Sequence, residues 1–188
     1  MKKFIIKSVP RSGNNYFSWL IQNNIDQWKE VKNIGVIDHP DWKHSNKIDD
    51  SVYTIGLIKN PVETWISQQR SKQRWSNWSD HIQSVYGYSF MTSVVDFCDW
   101  YNNFYENLLD KNIKVVCYET LLESPSSILN ELFDIELSSV ILTKNRVDPD
   151  GKVCTEKFTQ SNISIDNETI EKIEDSCNFL YFKIRELF

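Results

Sequence analysis

The sequence predicts an α/β fold, a parallel sheet covered by helices. Short apolar, β-branched runs at Phe4–Ile6, Val52–Ile58 and Ile113–Tyr118 read as buried strands. Each gives way to a turn and then to apolar positions at helical spacing, the alternation that builds crossover-linked parallel strands. At 188 residues the chain is predicted to form one domain, residues 1–188, with a core of its own.

Taken in order, the first strand ends in Lys7-Ser8-Val9-Pro10-Arg11-Ser12-Gly13. Tyr16, Phe17, Leu20 and Ile21 then mark a helix that fades near Asn24. Residues 25–33 read as a polar connection, and Ile34-Gly35-Val36-Ile37-Asp38 as a short second strand. His39 to Asp50 carries no period. After Val52–Ile58, Lys59-Asn60-Pro61 opens a helix, with Pro61 suited to its first turn and Val62, Trp65, Ile66 and Gln69 at its spacing. Residues 71–90 are the least regular, with Trp75, Trp78, His81, Tyr86 and Tyr88 among Ser, Asn and Gly. Thr92 to Asp110 reads as a helix with Val95, Phe97, Cys98, Tyr101, Phe104, Tyr105 and Leu108 as its apolar positions. Ser124 and Pro125 open another, to about Phe133. Residues 143–162, with Asp148-Pro149-Asp150-Gly151, read as a charged, turn-rich loop. The last helix runs from an Asp166 cap to about Leu187, with Ile170, Ile173, Cys177, Leu180, Tyr181, Ile184 and Leu187 inward. Ligands in such folds sit beyond the carboxyl ends of the strands, so Pro10–Asn15, Asp38–His44 and Lys59–Pro61 are expected around one crevice.

Composition narrows the function classes. Hydrophobic content of 40% and charged content of 25% are ordinary, whereas 7 Trp, 8 Tyr and 10 Phe make the chain rich in aromatics. A net charge of -5 argues against a nucleic-acid binder, which would carry a basic stripe, and leaves room for one basic pocket. No segment has the length of a membrane span, so no stable membrane insertion is expected. Met1–Ile6 imitates the start of a signal peptide, but Lys7 breaks the apolar run. Cys98, Cys117, Cys154 and Cys177 are scattered without CxxC spacing, which fits reduced thiols in a cytoplasmic protein. The absence of Ala beside abundant Asn, Ile, Lys and Ser points to an AT-rich genome, such as that of a phage or a streamlined bacterium.

The chemistry concentrates after the first strand. Pro10-Arg11-Ser12-Gly13 between strand and helix is a geometry that aims backbone N–H groups and a helix N-terminus at an anion. Gly13 permits close approach of the backbone, Arg11 can fork onto phosphate or sulfate oxygens, and Ser12, Asn14 and Asn15 add short polar groups. The same residue types also serve simple helix capping. There is no G-x-x-x-x-G-K-[ST], so the loop is not a Walker loop.

Pro10-Arg11-Ser12-Gly13 resembles the 5′-phosphosulfate loop of sulfotransferases that use 3′-phosphoadenosine 5′-phosphosulfate (PAPS), with Asn14 and Asn15 where that family usually has two Thr. A second stretch, Lys59-Asn60-Pro61 with Ser67 eight positions after Lys59, resembles the family's 3′-phosphate site. Lys59 replaces the usual Arg, a point charge for a bidentate fork, and Arg70 follows close behind. A third, Tyr118-Glu119-Thr120-Leu121 before Pro125, resembles an architectural motif at a strand end, with Thr120 in place of Asp. The likeness covers residues 4–24, 42–71 and 95–133. It implies a three-layer, P-loop-like sheet and in-line transfer of a sulfuryl group from PAPS to an acceptor hydroxyl or amine, releasing the bisphosphate PAP. The implied nucleotide ligands are Arg11, Ser12, Gly13, Asn14, Asn15, Lys59, Ser67 and Arg70, with Arg11 also serving catalysis.

Such a transfer needs an anion cradle, charge stabilisation and a base for the acceptor proton. His44, in Trp42-Lys43-His44, resembles the family's Lys-His segment and is the expected base, with Lys43 beside it; His39 is the competitor. Trp75, Trp78, Tyr86, Tyr88 and Phe90 form either an acceptor wall or a loop pinned by its aromatics. No His, Cys or carboxylate cluster has metal spacing, so no metal is expected. The sequence does not identify the acceptor: a small molecule such as an alcohol, a sugar or other glycan, a lipid head group and a peptide Tyr all fit the resemblance. A P-loop kinase-like phosphotransferase and a non-catalytic nucleotide-binding relative are the alternatives.

Overall fold

The structure, a computed structural model, describes residues 1–32, 39–74, 93–142, 146–147, 153–154 and 163–187. Among the described residues four parallel strands form the sheet: β1 (Lys2–Lys7), β2 (Trp28–Glu30), β3 (Tyr53–Ile58) and β4 (Val115–Cys117), in the order β2-β1-β3-β4. The register pairs Phe4 with Glu30, Lys7 with Gly56 and Ile58 with Cys117. The helices are α1 (Asn14–Asn24), α2 (Pro61–Arg74), α3 (Val94–Asp110), α4 (Tyr118–Glu123), α5 (Pro125–Phe133) and α6 (Asn167–Arg185). No described helix is long and apolar enough to cross a membrane.

Strand alternation sorts side chains to the two faces of the sheet. Phe4, Ile6, Ile55, Leu57 and Val116 pack with Phe17, Leu20 and Ile21 of α1 and Ile128, Leu129 and Leu132 of α5. Val115 and Cys117 turn the other way, into a cluster with Phe97, Tyr101, Tyr105 and Leu108 of α3 and Ile173, Cys177, Tyr181 and Ile184 of α6. The expected sheet with covering helices is therefore present. Ser93 caps α3 by accepting from the Asp96 amide at 3.0 Å, and Asp166 caps α6 by accepting from Thr169 at 2.7 Å.

Several expectations change. Trp28–Glu30, within the stretch read as a polar connection, is the strand β2, while the expected strand at 34–38 lies outside the described residues. Tyr118, read as the end of a strand, opens the short helix α4. Val95 and Leu187 face solvent at 64% and 63% exposure, because α6 ends at Arg185 and Val95 sits in the outer first turn of α3. Within the expected 143–162 loop, Arg146–Val147 and Val153–Cys154 pair as antiparallel strands β5 and β6. The Asp148–Gly151 turn, Thr92 and the aromatic stretch at Trp75, Trp78, His81, Tyr86, Tyr88 and Phe90 fall outside the described residues.

The sheet order places the switch point between β1 and β3. From β1 the chain runs out to β2 on one side, then returns past β1 to lay β3 on the other. The loops leaving β1 and β3 consequently diverge around a crevice, the position where open α/β sheets take ligands.

Candidate functional site

The loop after β1 leads into bare backbone N–H groups at the start of α1. Gly13 stands at the N-cap of α1 with φ of 95°, and no side chain caps the first turn, which carries no acidic residue. The leading N–H groups of an 11-residue helix are thus left to other partners. Arg11 is exposed and held at φ of 74°, a left-handed conformation that a non-glycine residue adopts at a cost. Ser12 is fully buried beside the Tyr105 hydroxyl. The Ser8 hydroxyl donates to Asn14 Oδ1, and Asn14 Nδ2, buried, finds no partner among the described residues.

The loop after β3 closes the other side. Arg11 Nε donates to Ser67 Oγ at 3.4 Å, and Gln68 Nε2 donates to the Pro10 carbonyl at 3.2 Å, so the first turns of α2 rest against the first loop. Lys59 lies close enough to Arg11 and Arg70 to feel both charges. Burial, followed by those two cations, pushes its pKa down against the pull of Glu63 and Glu119. Arg70 Nε is buried and likewise without a partner among the described residues. Arg11, Lys59, Ser67 and Arg70 are thereby brought together, beside Gly13. Tyr118 joins the two sides: its ring lies where a Cβ on Gly13 would sit, 2.3 Å from the nearest ring carbon, and Lys59 Nζ lies 5.8 Å from its centroid.

No family model and no curated protein matches the chain. The site must therefore be read from its own geometry.

A third wall comes from the segment before β3. Lys7, fully buried at the end of β1, donates to the carbonyls of Pro40 at 2.5 Å and Trp42 at 2.6 Å. The Ser8 amide donates to the Lys43 carbonyl at 3.0 Å, and His44 Nδ1–H donates to the Ser8 carbonyl at 2.7 Å. Residues 40–44 are thus strapped along the end of β1, which delivers Lys43 Nζ to Asn15 Oδ1 at 3.3 Å. His39 is further off: its Nδ1 accepts from the Asp41 amide at 3.1 Å, a local turn.

Burial, then the nearby Lys43 charge, drives the His44 imidazole down to about 3. It stays neutral throughout the physiological range and is poorly matched to proton abstraction there. The linkage has a definite sign. An unfolded His takes its proton near pH 6.5 and the folded one near 3, so the protein loses stability as pH falls through that window. Urea unfolding should show about 2 kcal/mol less stability from this residue at pH 5 than at pH 7. His44→Asn should flatten that slope; an unchanged slope refutes the buried neutral assignment. The comparison is made against the variant because Glu30 works in the opposite sense.

Glu30 is the residue that sequence reading missed. It ends β2 and accepts from Ser18 Oγ of α1 at 2.5 Å. Burial raises its carboxyl pKa, while Ser18 and the charge of Lys43 hold it down. A partly buried carboxylate with its pKa raised by burial, one helical turn from the loop after β1, is a candidate proton acceptor. Its only sequence signal was a carboxylate directly after Trp28-Lys29 at the end of a short alternating stretch.

Proposed function

We propose that the chain is a sulfotransferase of the P-loop-like α/β kind. It would use PAPS to sulfate a hydroxyl or amine of a small molecule, glycan or lipid, without a metal. The observation that carries this reading is the meeting of Arg11 with Ser67, 56 residues apart in sequence, beside Lys59 and Arg70 at the switch point. The resemblance assigns those residues to the two phosphate-bearing ends of one nucleotide. Asn14 Nδ2 and Arg70 Nε, two buried donors with no partner among the described residues, fit a polyanionic ligand in the same crevice.

PAPS supplies the sulfuryl group and leaves as PAP. The α1 amides and Arg11 hold the 5′ end and oppose the charge that develops on the leaving phosphate. Lys59, Ser67 and Arg70 hold the 3′-phosphate. Lys43, placed at the mouth of α1 by the Ser8 straps, adds a cation on the acceptor side. Glu30, rather than His44 or His39, takes the acceptor proton.

The test is a thermal-shift series with adenosine 3′,5′-bisphosphate, AMP and ATP, with and without magnesium. The bisphosphate should stabilise without magnesium, by about 2.7 kcal/mol at 100 times its Kd, and AMP and ATP much less. Arg11→Ala should weaken the bisphosphate by about 1.5–3 kcal/mol, the range for a hydrogen bond to a charged group, with the fold intact. A larger, magnesium-dependent shift with ATP refutes the reading in favour of a kinase-like phosphotransferase. Tight bisphosphate binding with no transfer of labelled sulfate to any extract component leaves a non-catalytic nucleotide-binding protein.

A further inference from the structure

The turn that presents Lys59 is held from beneath by groups that touch no nucleotide in the proposed scheme. Glu119 Oε1 accepts from the Asn60 amide at 3.1 Å. Its other oxygen, Oε2, accepts from the Tyr181 hydroxyl and from the Cys117 thiol, both at 3.0 Å. Tyr101 donates to the Lys59 carbonyl at 2.7 Å, and Tyr105 donates to the Leu57 carbonyl at 2.8 Å. The backbone on both sides of Lys59 is therefore pinned by α3 and, through one carboxylate, by α6.

We propose that Glu119 is a positioning residue. By fixing the Lys59–Asn60 turn, with Tyr181 fixing Glu119 in its turn, it sets the preference of the crevice for a nucleotide bearing a 3′-phosphate. This rests on the sulfotransferase reading. The geometry favours such a role because both carboxylate oxygens are committed to groups at strand and helix ends. Moreover, the Glu119 charge opposes the repulsion that Arg11 and Arg70 exert on Lys59. Losing the anchor frees the turn to swing the Lys59 ammonium off the Tyr118 ring and away from the phosphate.

The experiment measures affinity for adenosine 3′,5′-bisphosphate and for AMP, and reads their ratio rather than either value. Glu119→Ala should lower the ratio about tenfold, the loss of one charge-assisted contact. Tyr181→Phe, which removes a single hydroxyl, should lower it less, and Glu119→Gln, which can still accept from Asn60, should restore most of it. In a Lys59→Ala background Tyr181→Phe should leave the ratio unmoved, because the two act through one contact. If Glu119→Ala does not fold, Tyr181→Phe and its double variant decide the matter. A lowered melting temperature with an unchanged ratio in a wild type that does discriminate overturns the positioning role alone. A wild type that binds both nucleotides equally overturns the sulfotransferase reading and this inference with it.

Discussion

Replacing Glu30 with glutamine is expected to slow the proposed sulfuryl transfer by about 10²–10⁴-fold, the usual contribution of a positioned general base. Glutamine keeps the shape and can still meet Ser18 Oγ, which lies 2.5 Å from the carboxylate, but it cannot take a proton. Bisphosphate affinity should hardly change, because Glu30 ends β2, two strands away from β3 and Lys59. The pH profile adds a second readout. A base works deprotonated, so wild-type activity should fall as pH drops through the Glu30 pKa, which burial raises above the ordinary carboxylate value. The variant should lose that acid limb. His44→Asn should retain far more activity than Glu30→Gln; the reverse order returns the role of base to His44.

The Gly13→Ala substitution should cost more than Gly56→Ala, the other glycine whose surroundings the structure describes. A left-handed backbone costs an alanine about 1–2 kcal/mol, and forcing atoms into a filled space costs about 1–3 kcal/mol more. Here φ is 95° and the new Cβ would lie 2.3 and 2.6 Å from two carbons of the Tyr118 ring. That ring cannot simply step aside, since it packs edge-on against Tyr16 at 6.2 Å and carries Lys59 above it. A loss of about 2–5 kcal/mol is expected in urea unfolding, together with loss of nucleotide binding. Adding Tyr118→Ala should recover the steric part and leave the backbone part. Full recovery would show that the glycine is needed for space alone.

How far the molecule was legible in its sequence depends on where the information lies. β1, β3 and β4 are buried and announce themselves as apolar runs, and Pro61, Ser124-Pro125 and Asp166 mark helix starts by local chemistry. β2 is a three-residue strand, Trp28-Lys29-Glu30, paired among the described residues with β1 alone and only partly covered, so it has no apolar run to notice. The short α4 buries only Leu121, too little for a period. In the crevice, the Pro-Arg-Ser-Gly turn and the Lys59–Ser67 spacing were visible, since they are local patterns. Residue protonation was not. His44 stood where a base was expected, yet its bond to the Ser8 carbonyl and its burial are facts of packing. Glu30 looked like any surface carboxylate until α1 laid Ser18 against it. Tyr101, Tyr105 and Tyr181 fit the apolar faces of their helices, and nothing in that spacing says that their hydroxyl ends reach strand-end groups.

Those tyrosine hydroxyls also tie the crevice to segments made late in synthesis. The loop after β1 is made before its braces: the Val9 amide meets Tyr105 96 residues later, and Glu119 meets Tyr181 62 residues later. Contacts of such sequence separation are slow to form, because long loops must close before any contact rewards the closure. A nascent chain that stops short of residue 181 carries Arg11, Lys59 and Ser67 but lacks the hydroxyl that locks the wall between them. In the proposed scheme a nucleotide therefore meets the fully braced wall only once residue 181 has been made.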